Sequence, residues 1–164
     1  MTDMLSSDIL ERQFGPTEVE VLYQDNGTRV IRTLAADSRQ ILEVSRVVFV
    51  QAGVEKFPGT HRAVTEGASM GKAFRADGIE FIREEQGAYR HALPAIFKEV
   101  FGSSQPATVV EVLVLAGPGK TPYARILETY SPDVRWPRQI GEPTAGQLAK
   151  IQALGEFLAD QPVL

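Results

Sequence analysis

The alternation of apolar and polar side chains along this chain predicts six β-strands. Successive side chains of a strand point to opposite faces, so a two-residue period marks each strand. Asn26-Gly27 is a strong hairpin signal between the first two strands. The predicted strands cover about residues 18–24, 29–36, 40–51, 79–86, 108–115 and 122–131.

A helical period of apolar residues predicts four helices, at about residues 7–14, 69–76, 88–101 and 144–160. The last helix follows Pro143, with Thr144 as its expected N-cap. Its expected buried stripe consists of Leu148, Ile151, Leu154 and Leu158. Residues 52–68 contain three glycines and Pro58 and are expected to form a loop.

The order of these elements suggests one unit used twice. A helix and three strands are followed by a helix, a strand, an inserted helix and two strands. The last strand of each half carries Ile-Leu-Glu, at residues 41–43 and 126–128. Hairpin connections predict an antiparallel sheet with helices on one face, which is an α+β fold.

Glu128 stands out because it lies on the apolar face of the last predicted strand. That face also carries Ala124, Ile126 and Tyr130. A carboxylate placed there must find a partner or shift its pKa, because an unpaired buried charge is costly. Glu128 is therefore a candidate for ligand binding or for a reaction. Tyr130 is a candidate hydrogen-bond donor to a ligand, with a place in the aromatic core as the alternative.

Two arginines show the same anomaly. Arg32 shares a face with Val30 and Leu34, and Arg46 shares a face with apolar residues of the third strand, while Glu43 takes the opposite face. One interpretation is an internal salt bridge with Glu128, since buried ions usually pair. The other is an anion pocket with one surplus positive charge, suited to a small carboxylic acid.

The composition narrows the class of protein. The chain has 164 residues, 43% of them hydrophobic and 23% charged, which suits a single globular domain. The net charge is −4 and no basic run occurs, so nucleic acid is not an expected partner. The first seven residues lack signal-peptide features and no apolar stretch reaches membrane-spanning length, so a cytoplasmic protein with no membrane partner is expected.

Few residues are available for metal or nucleophilic chemistry. The absence of cysteine excludes disulfides, thiol nucleophiles and cysteine metal sites. His61 and His91 show no metal-ligand spacing. Gly119-Lys120-Thr121 lacks the first glycine of a phosphate-binding loop, because Val114 occupies that position. Neither a cofactor nor a metal is expected.

Three short motifs along the chain form a set. The first is a Gly-Lys turn, an apolar strand, a glutamate and a proline, here residues 119–132 with Glu128. The second is the small helix with Met70-Gly71-Lys72, and the third is Arg32 in its strand. The opening at residues 6–11, followed by the strand at 19–22, is also similar. Together these motifs resemble the chorismate pyruvate-lyase (4-hydroxybenzoate synthase) superfamily, and the resemblance covers roughly residues 5–132.

The resemblance implies a six-stranded antiparallel sheet made by duplication, with helical flaps over an enclosed site. It also implies ligand contacts at Arg32, around Met70, at Glu128 and near Ser6, where this chain lacks the family's methionine. Residues 1–137 are expected to form this domain. Residues 138–164 are expected to be a helical extension packed on the same domain.

The activity implied is elimination of pyruvate from chorismate or a close cyclic acid, without a cofactor. Arg32 is expected to hold the ring carboxylate, and Arg46 or Lys72 to face the second carboxylate. Glu128 accepts a hydrogen bond from the ring hydroxyl or, if protonated, assists departure of the ether oxygen. The alternative is a non-catalytic binding protein for an aromatic acid, since relatives of this fold serve as effector domains. A monomer or homodimer is expected.

Overall fold

The computed structural model describes residues 6–138 and 140–160. Its first half contains α1 (Ser6–Phe14), β1 (Thr17–Gln24), β2 (Thr28–Ala35), β3 (Ile41–Phe49), α2 (Gln51–Lys56) and α3 (Pro58–Thr65). Its second half contains α4 (Met70–Ala76), β4 (Phe81–His91), α5 (Ile96–Phe101), β5 (Ala107–Ala116), β6 (Thr121–Tyr130) and α6 (Ala145–Ala159).

The six strands form one antiparallel sheet in the order β1-β2-β3-β6-β5-β4. This confirms the predicted α+β fold. The order places each predicted half on its own side of the sheet, with β3 and β6 as neighbours at the centre. The two Ile-Leu-Glu segments lie in these central strands, where Ser45 is paired with Glu128 and Glu43 with Tyr130.

Helices cover both faces of the sheet, whereas the sequence predicted a helical layer on one face. On the first face, α1, α3 and α4 pack through residues such as Leu10, Val64 and Phe74. On the second face, α5 and α6 form a separate core that includes Phe97 and Leu154. The apolar residues of β2 and β3 are therefore divided between two buried faces.

Two of the predicted elements are wrong. The segment 52–68 is helical rather than a loop. Pro58 occupies the first turn of α3, where its missing N–H costs nothing. Gly53 is required by packing, because a Cβ there would lie 2.4 Å from the Pro122 carbonyl oxygen.

The predicted helix at 88–101 is wrong in its first part. Strand β4 continues to His91, because residues through His91 pair with β5. The helix begins only after Pro94, as α5. None of the helices in the described ranges is long and apolar enough to cross a membrane.

Candidate functional site

A cavity of about 340 Å³ lies between the first face of the sheet and helices α1 and α4. We call it the central cavity. Its sheet wall carries the charged and polar side chains of Arg29, Glu43, Ser45, Arg83 and Glu128. Its helical cover includes Ser6 from α1 and Ser69, Met70, Gly71 and Lys72 at the start of α4.

Strand register explains why these sheet residues share one wall. Residues that face each other across an antiparallel pair point to the same side of the sheet. Ile31 is paired with Ser45, and Ser45 with Glu128. Arg29 is paired with Val47, and Thr33 with Glu43, so alternate residues of β2 and β3 enter the cavity.

Glu128 is held by two partners in this wall. Nη1 and Nη2 of Arg83 donate to its two carboxylate oxygens, at 2.6 and 2.5 Å. The Tyr130 hydroxyl donates to Oε1 at 2.8 Å. The side chains of Arg83 and Glu128 are only 6% and 3% exposed. This two-pronged geometry is that of a strong, charge-assisted pair.

The environment of this pair shifts the pKa of its neighbours. Burial opposes the charge of Arg83, but the charge and hydrogen bonds of Glu128 hold the pKa of the guanidinium above its usual value. Burial, together with the charge of Glu128, raises the pKa of the Tyr130 hydroxyl. Arg83 is therefore a cation and Tyr130 a neutral donor at neutral pH.

Arg29 is a second buried guanidinium, and it differs from Arg83 in its partners. Arg29 is only 3% exposed. Its Nη1 donates to the carbonyl oxygens of Val64 and Ala68, both at 3.3 Å. Its Nε is buried without a hydrogen-bond partner. Among the described residues, no carboxylate lies at ion-pair distance from Arg29.

Burial lowers the pKa of Arg29 from its usual value. A guanidinium nevertheless stays protonated at neutral pH. The central cavity therefore contains a buried positive charge that has no ion-pair partner among the described residues.

The structure brings several of the sequence-predicted residues together. Ser6, Met70, Gly71, Lys72 and Glu128 all line the central cavity. Tyr130 is fully buried behind the lining, and its hydroxyl donates to the lining residue Glu128.

The expectation that Arg32 and Glu128 line one cavity is wrong. Arg32 is paired in register with Val44, on the second face of the sheet. Its Nε donates to Glu20 at 2.6 Å, and its side chain is 23% exposed. The apolar face that Arg32 shares with Val30 packs on α5 and α6. Apolar neighbours in the strand therefore did not indicate the cavity.

The same correction applies to Arg46. It lines a more open groove of about 560 Å³ on the second face, between the sheet and α6. Arg125 and Lys150 lie in the same groove and are exposed. Arg46 is only half-buried and Lys150 pairs with Glu111 at 2.8 Å, so these cations differ from the unpaired buried charge of Arg29 in the central cavity.

Sequence reasoning missed Arg29, Glu43 and Arg83. Arg83 is followed by Glu84 and Glu85, and such a charged run is typical of a solvated strand end, although Phe81 and Arg83 share one face of β4. The available signal for Glu43 was the repeated Ile-Leu-Glu, which places Glu43 and Glu128 at corresponding positions of the two halves. Among the described residues, no cluster of three or more potential metal ligands occurs.

No protein-family model matches the chain, and no curated protein matches it. Solved structures do. A ligand-binding domain from Bordetella bronchiseptica, assigned to a GntR-family transcriptional regulator, has a TM-score of 0.54 and 12% identity, covering 77% of this chain and 92% of that chain.

Two further structures have comparable similarity. A GntR-family transcriptional regulator from Bacillus cereus has a TM-score of 0.51 and 9% identity over 76% of this chain and 98% of that chain. The gene product SA0254 from Staphylococcus aureus has a TM-score of 0.54 and 11% identity over 82% and 92%. At such identities the likeness shows the fold alone, an α+β fold built on an antiparallel sheet.

Proposed function

We propose that this chain is a ligand-binding domain for a small organic anion, held in the central cavity. The observation that carries this proposal is Arg29. A buried guanidinium without a compensating charge is costly to the folded protein. A carboxylate or phosphate bound against Arg29 would supply that charge and a partner for the orphaned Nε.

The size and lining of the cavity favour a compact ligand with an apolar body. A volume of about 340 Å³ lies within the range of small-molecule sites. Ile31, Val47 and Ile126 form an apolar floor between Arg29 and the Arg83–Glu128 pair. An aromatic or cyclic carboxylic acid suits this arrangement. The GntR-type structures support a binding role, since one of them is itself described as a ligand-binding domain.

Lyase activity is the second candidate, and one feature favours it. Burial, and then the charge of Glu128, raise the pKa of the Glu43 carboxyl to about 8, because both disfavour its ionised form. A protonated carboxyl in the cavity is a suitable general acid for a departing ether oxygen. Glu128 suits that role less well, because both of its oxygens accept from the Arg83 cation, whereas the oxygens of Glu43 accept from neutral hydroxyls.

The experiment is a calorimetric and thermal-shift titration with 4-hydroxybenzoate, chorismate, aliphatic dicarboxylates and sugar phosphates. We expect at least one anion to bind, and the uncharged 4-hydroxybenzamide not to bind. Arg29→Gln should weaken binding by roughly 30-fold or more, since it removes one partner of a buried charge pair. Release of pyruvate from chorismate, measured in the same samples, separates a lyase from a binder.

Arg32→Gln is the matched control, on the same strand but the opposite face. It should bind as the wild type does. If Arg32→Gln loses affinity while Arg29→Gln keeps it, the site lies on the second face and the proposal is wrong. Absence of binding by every anion in the panel would also overturn it.

A further inference from the structure

Glu43 is buried in the wall of the central cavity without a cationic partner. It is 4% exposed. The hydroxyls of Thr33 and Ser45 donate to its two oxygens, at 3.2 and 2.7 Å. Among the described residues, no lysine or arginine lies at ion-pair distance from it. Neutral donors alone do not offset the burial of a full negative charge.

The neighbouring charges do not provide the missing compensation. Arg83 is committed to both oxygens of Glu128. The cluster thus contains two carboxylates and one guanidinium, and it becomes electrically neutral when one carboxyl keeps its proton. That carboxyl is Glu43, because Glu128 is already paired with the Arg83 guanidinium. Burial, and then the charge of Glu128, raise the pKa of Glu43 to about 8, against the hydrogen bonds of Ser45 and Thr33 and the charge of Arg83.

Other ionisable groups also act on the cavity, from five elements besides β3. They are Asp8 and Glu11 on α1, Arg29 on β2, Lys72 and Arg75 on α4, and Arg83 on β4. Glu128 and Tyr130 on β6 complete the set that acts on Glu43. Glu43 lies against the β6 members of this set, because it is paired with Tyr130 across the β3–β6 ladder.

Arg29 and Glu43 mark two ends of the cavity. Arg29 is paired with Val47 and Thr33 with Glu43, so the two charged positions are four residues apart along the strands. Four residues of strand span about 13 Å between backbone positions. The paired residues Ile31 and Ser45 lie between them. A ligand that reaches both ends needs an anionic group at one end and a different polar group at the other.

We propose that Glu43 is a specificity-determining residue that donates its carboxyl O–H to a hydrogen-bond acceptor at the end of the ligand remote from Arg29. This rests on the proposed function and names its ligand class: a small acid with an uncharged acceptor opposite its anionic group. Loss of the Glu43 proton replaces the donor with a negative charge that repels the acceptor. Affinity is therefore full at pH 6.5 and falls by up to tenfold per pH unit above about pH 8.

The binding experiment compares 4-methoxybenzoate with 4-ethylbenzoate, which has a similar shape but a CH2 group in place of the ether oxygen that accepts. Wild-type protein should prefer the methoxy compound by about tenfold at pH 6.5, the value of one good hydrogen bond. The preference should disappear at pH 9.5. Glu43→Gln, whose amide donates at any pH, should keep the preference at pH 9.5. Glu43→Leu should lack it at both pH values, and Glu84→Gln, an exposed control on β4, should behave as the wild type.

A second measurement needs no ligand. The carboxyl resonance of Glu43, identified by its absence in the ¹³C spectrum of Glu43→Gln, should titrate above pH 7 in the free protein. Titration near the ordinary glutamate range would overturn the proposal, as would equal binding of the two benzoates by the wild type. If anions bind through Arg29 but show no dependence on Glu43, the proposed function stands and this inference fails. If neither benzoate binds the wild type, the ligand class is wrong.

Discussion

Arg83 and Glu128 connect the edge strand β4 to the central strand β6 across the floor of the cavity. Both side chains are almost completely buried. Arg83→Met should therefore cost about 3–5 kcal/mol of unfolding free energy at pH 8, because it leaves a buried carboxylate without its cation. The loss of unfolding free energy should be smaller at pH 5, where the second buried carboxyl of the variant can also take up a proton. Urea unfolding at the two pH values measures both quantities.

The double variant Arg83→Met/Glu128→Gln is the control for that prediction. It removes both charges, so most of the lost stability should return. A double variant no more stable than Arg83→Met would show that packing of the arginine stem, rather than charge, supports this wall.

The elements that sequence patterns predicted well are those whose signals are local. Helix α6 is an example: the Thr144 hydroxyl accepts from the Gln147 N–H, and the Gln147 side chain bonds back to the Thr144 N–H. The β1–β2 hairpin is another, with Asp25 accepting from the N–H groups of Gly27 and Thr28 at 2.8 and 2.7 Å. These features depend on residues only two or three positions apart.

The site was harder to predict, because it depends on which face of the sheet each helix covers. Period-two alternation gives the two faces of β2 correctly, with Arg29 on one and Arg32 on the other. It does not reveal that both faces are buried. The apolar face of β2, which carries Arg32, packs on α5 and α6. The cavity lies on the opposite, more polar face of the strand. Glu128 was identified because its neighbours in β6 are apolar on the cavity face itself.

Helix α6 also provides a sharp test of packing at the element scale. Gly155 faces Pro94, and a Cβ at this position would lie 2.9 Å from the proline ring. Gly155→Ala should therefore destabilise the protein by about 1–3 kcal/mol through overpacking. The intrinsic preference of helices for alanine over glycine, about 1 kcal/mol, offsets only part of this. Chemical denaturation monitored by circular dichroism gives the difference.

Gly146 is the matched control in the first turn of the same helix. A Cβ there would meet only the Thr144 hydroxyl, at 3.9 Å. Gly146→Ala should be neutral or stabilising. If Gly155→Ala is equally harmless, the approach of α6 to Pro94 is looser than the structure indicates.

At the scale of the whole molecule, the sheet has a core on each face. Leu10 of α1 belongs to the first and Leu154 of α6 to the second, and both are fully buried. Strands β2, β3, β5 and β6 contribute residues to both cores. Loss of either helical layer therefore exposes the same sheet, and we predict that α6 unfolds together with the rest of the domain rather than as a separate unit.

The matched substitutions Leu10→Ala and Leu154→Ala test this cooperativity. Each should cost about 2–5 kcal/mol, the range for a leucine removed from a packed core. Trp136, the one tryptophan of the chain, packs on Tyr130 in the first core, so its fluorescence reports on the face opposite α6. In one cooperative unit, Leu154→Ala lowers the fluorescence and circular-dichroism midpoints equally. A loss of helical signal that leaves the Trp136 midpoint in place would instead identify α6 as an independent unit, and the cavity would then not depend on the second core.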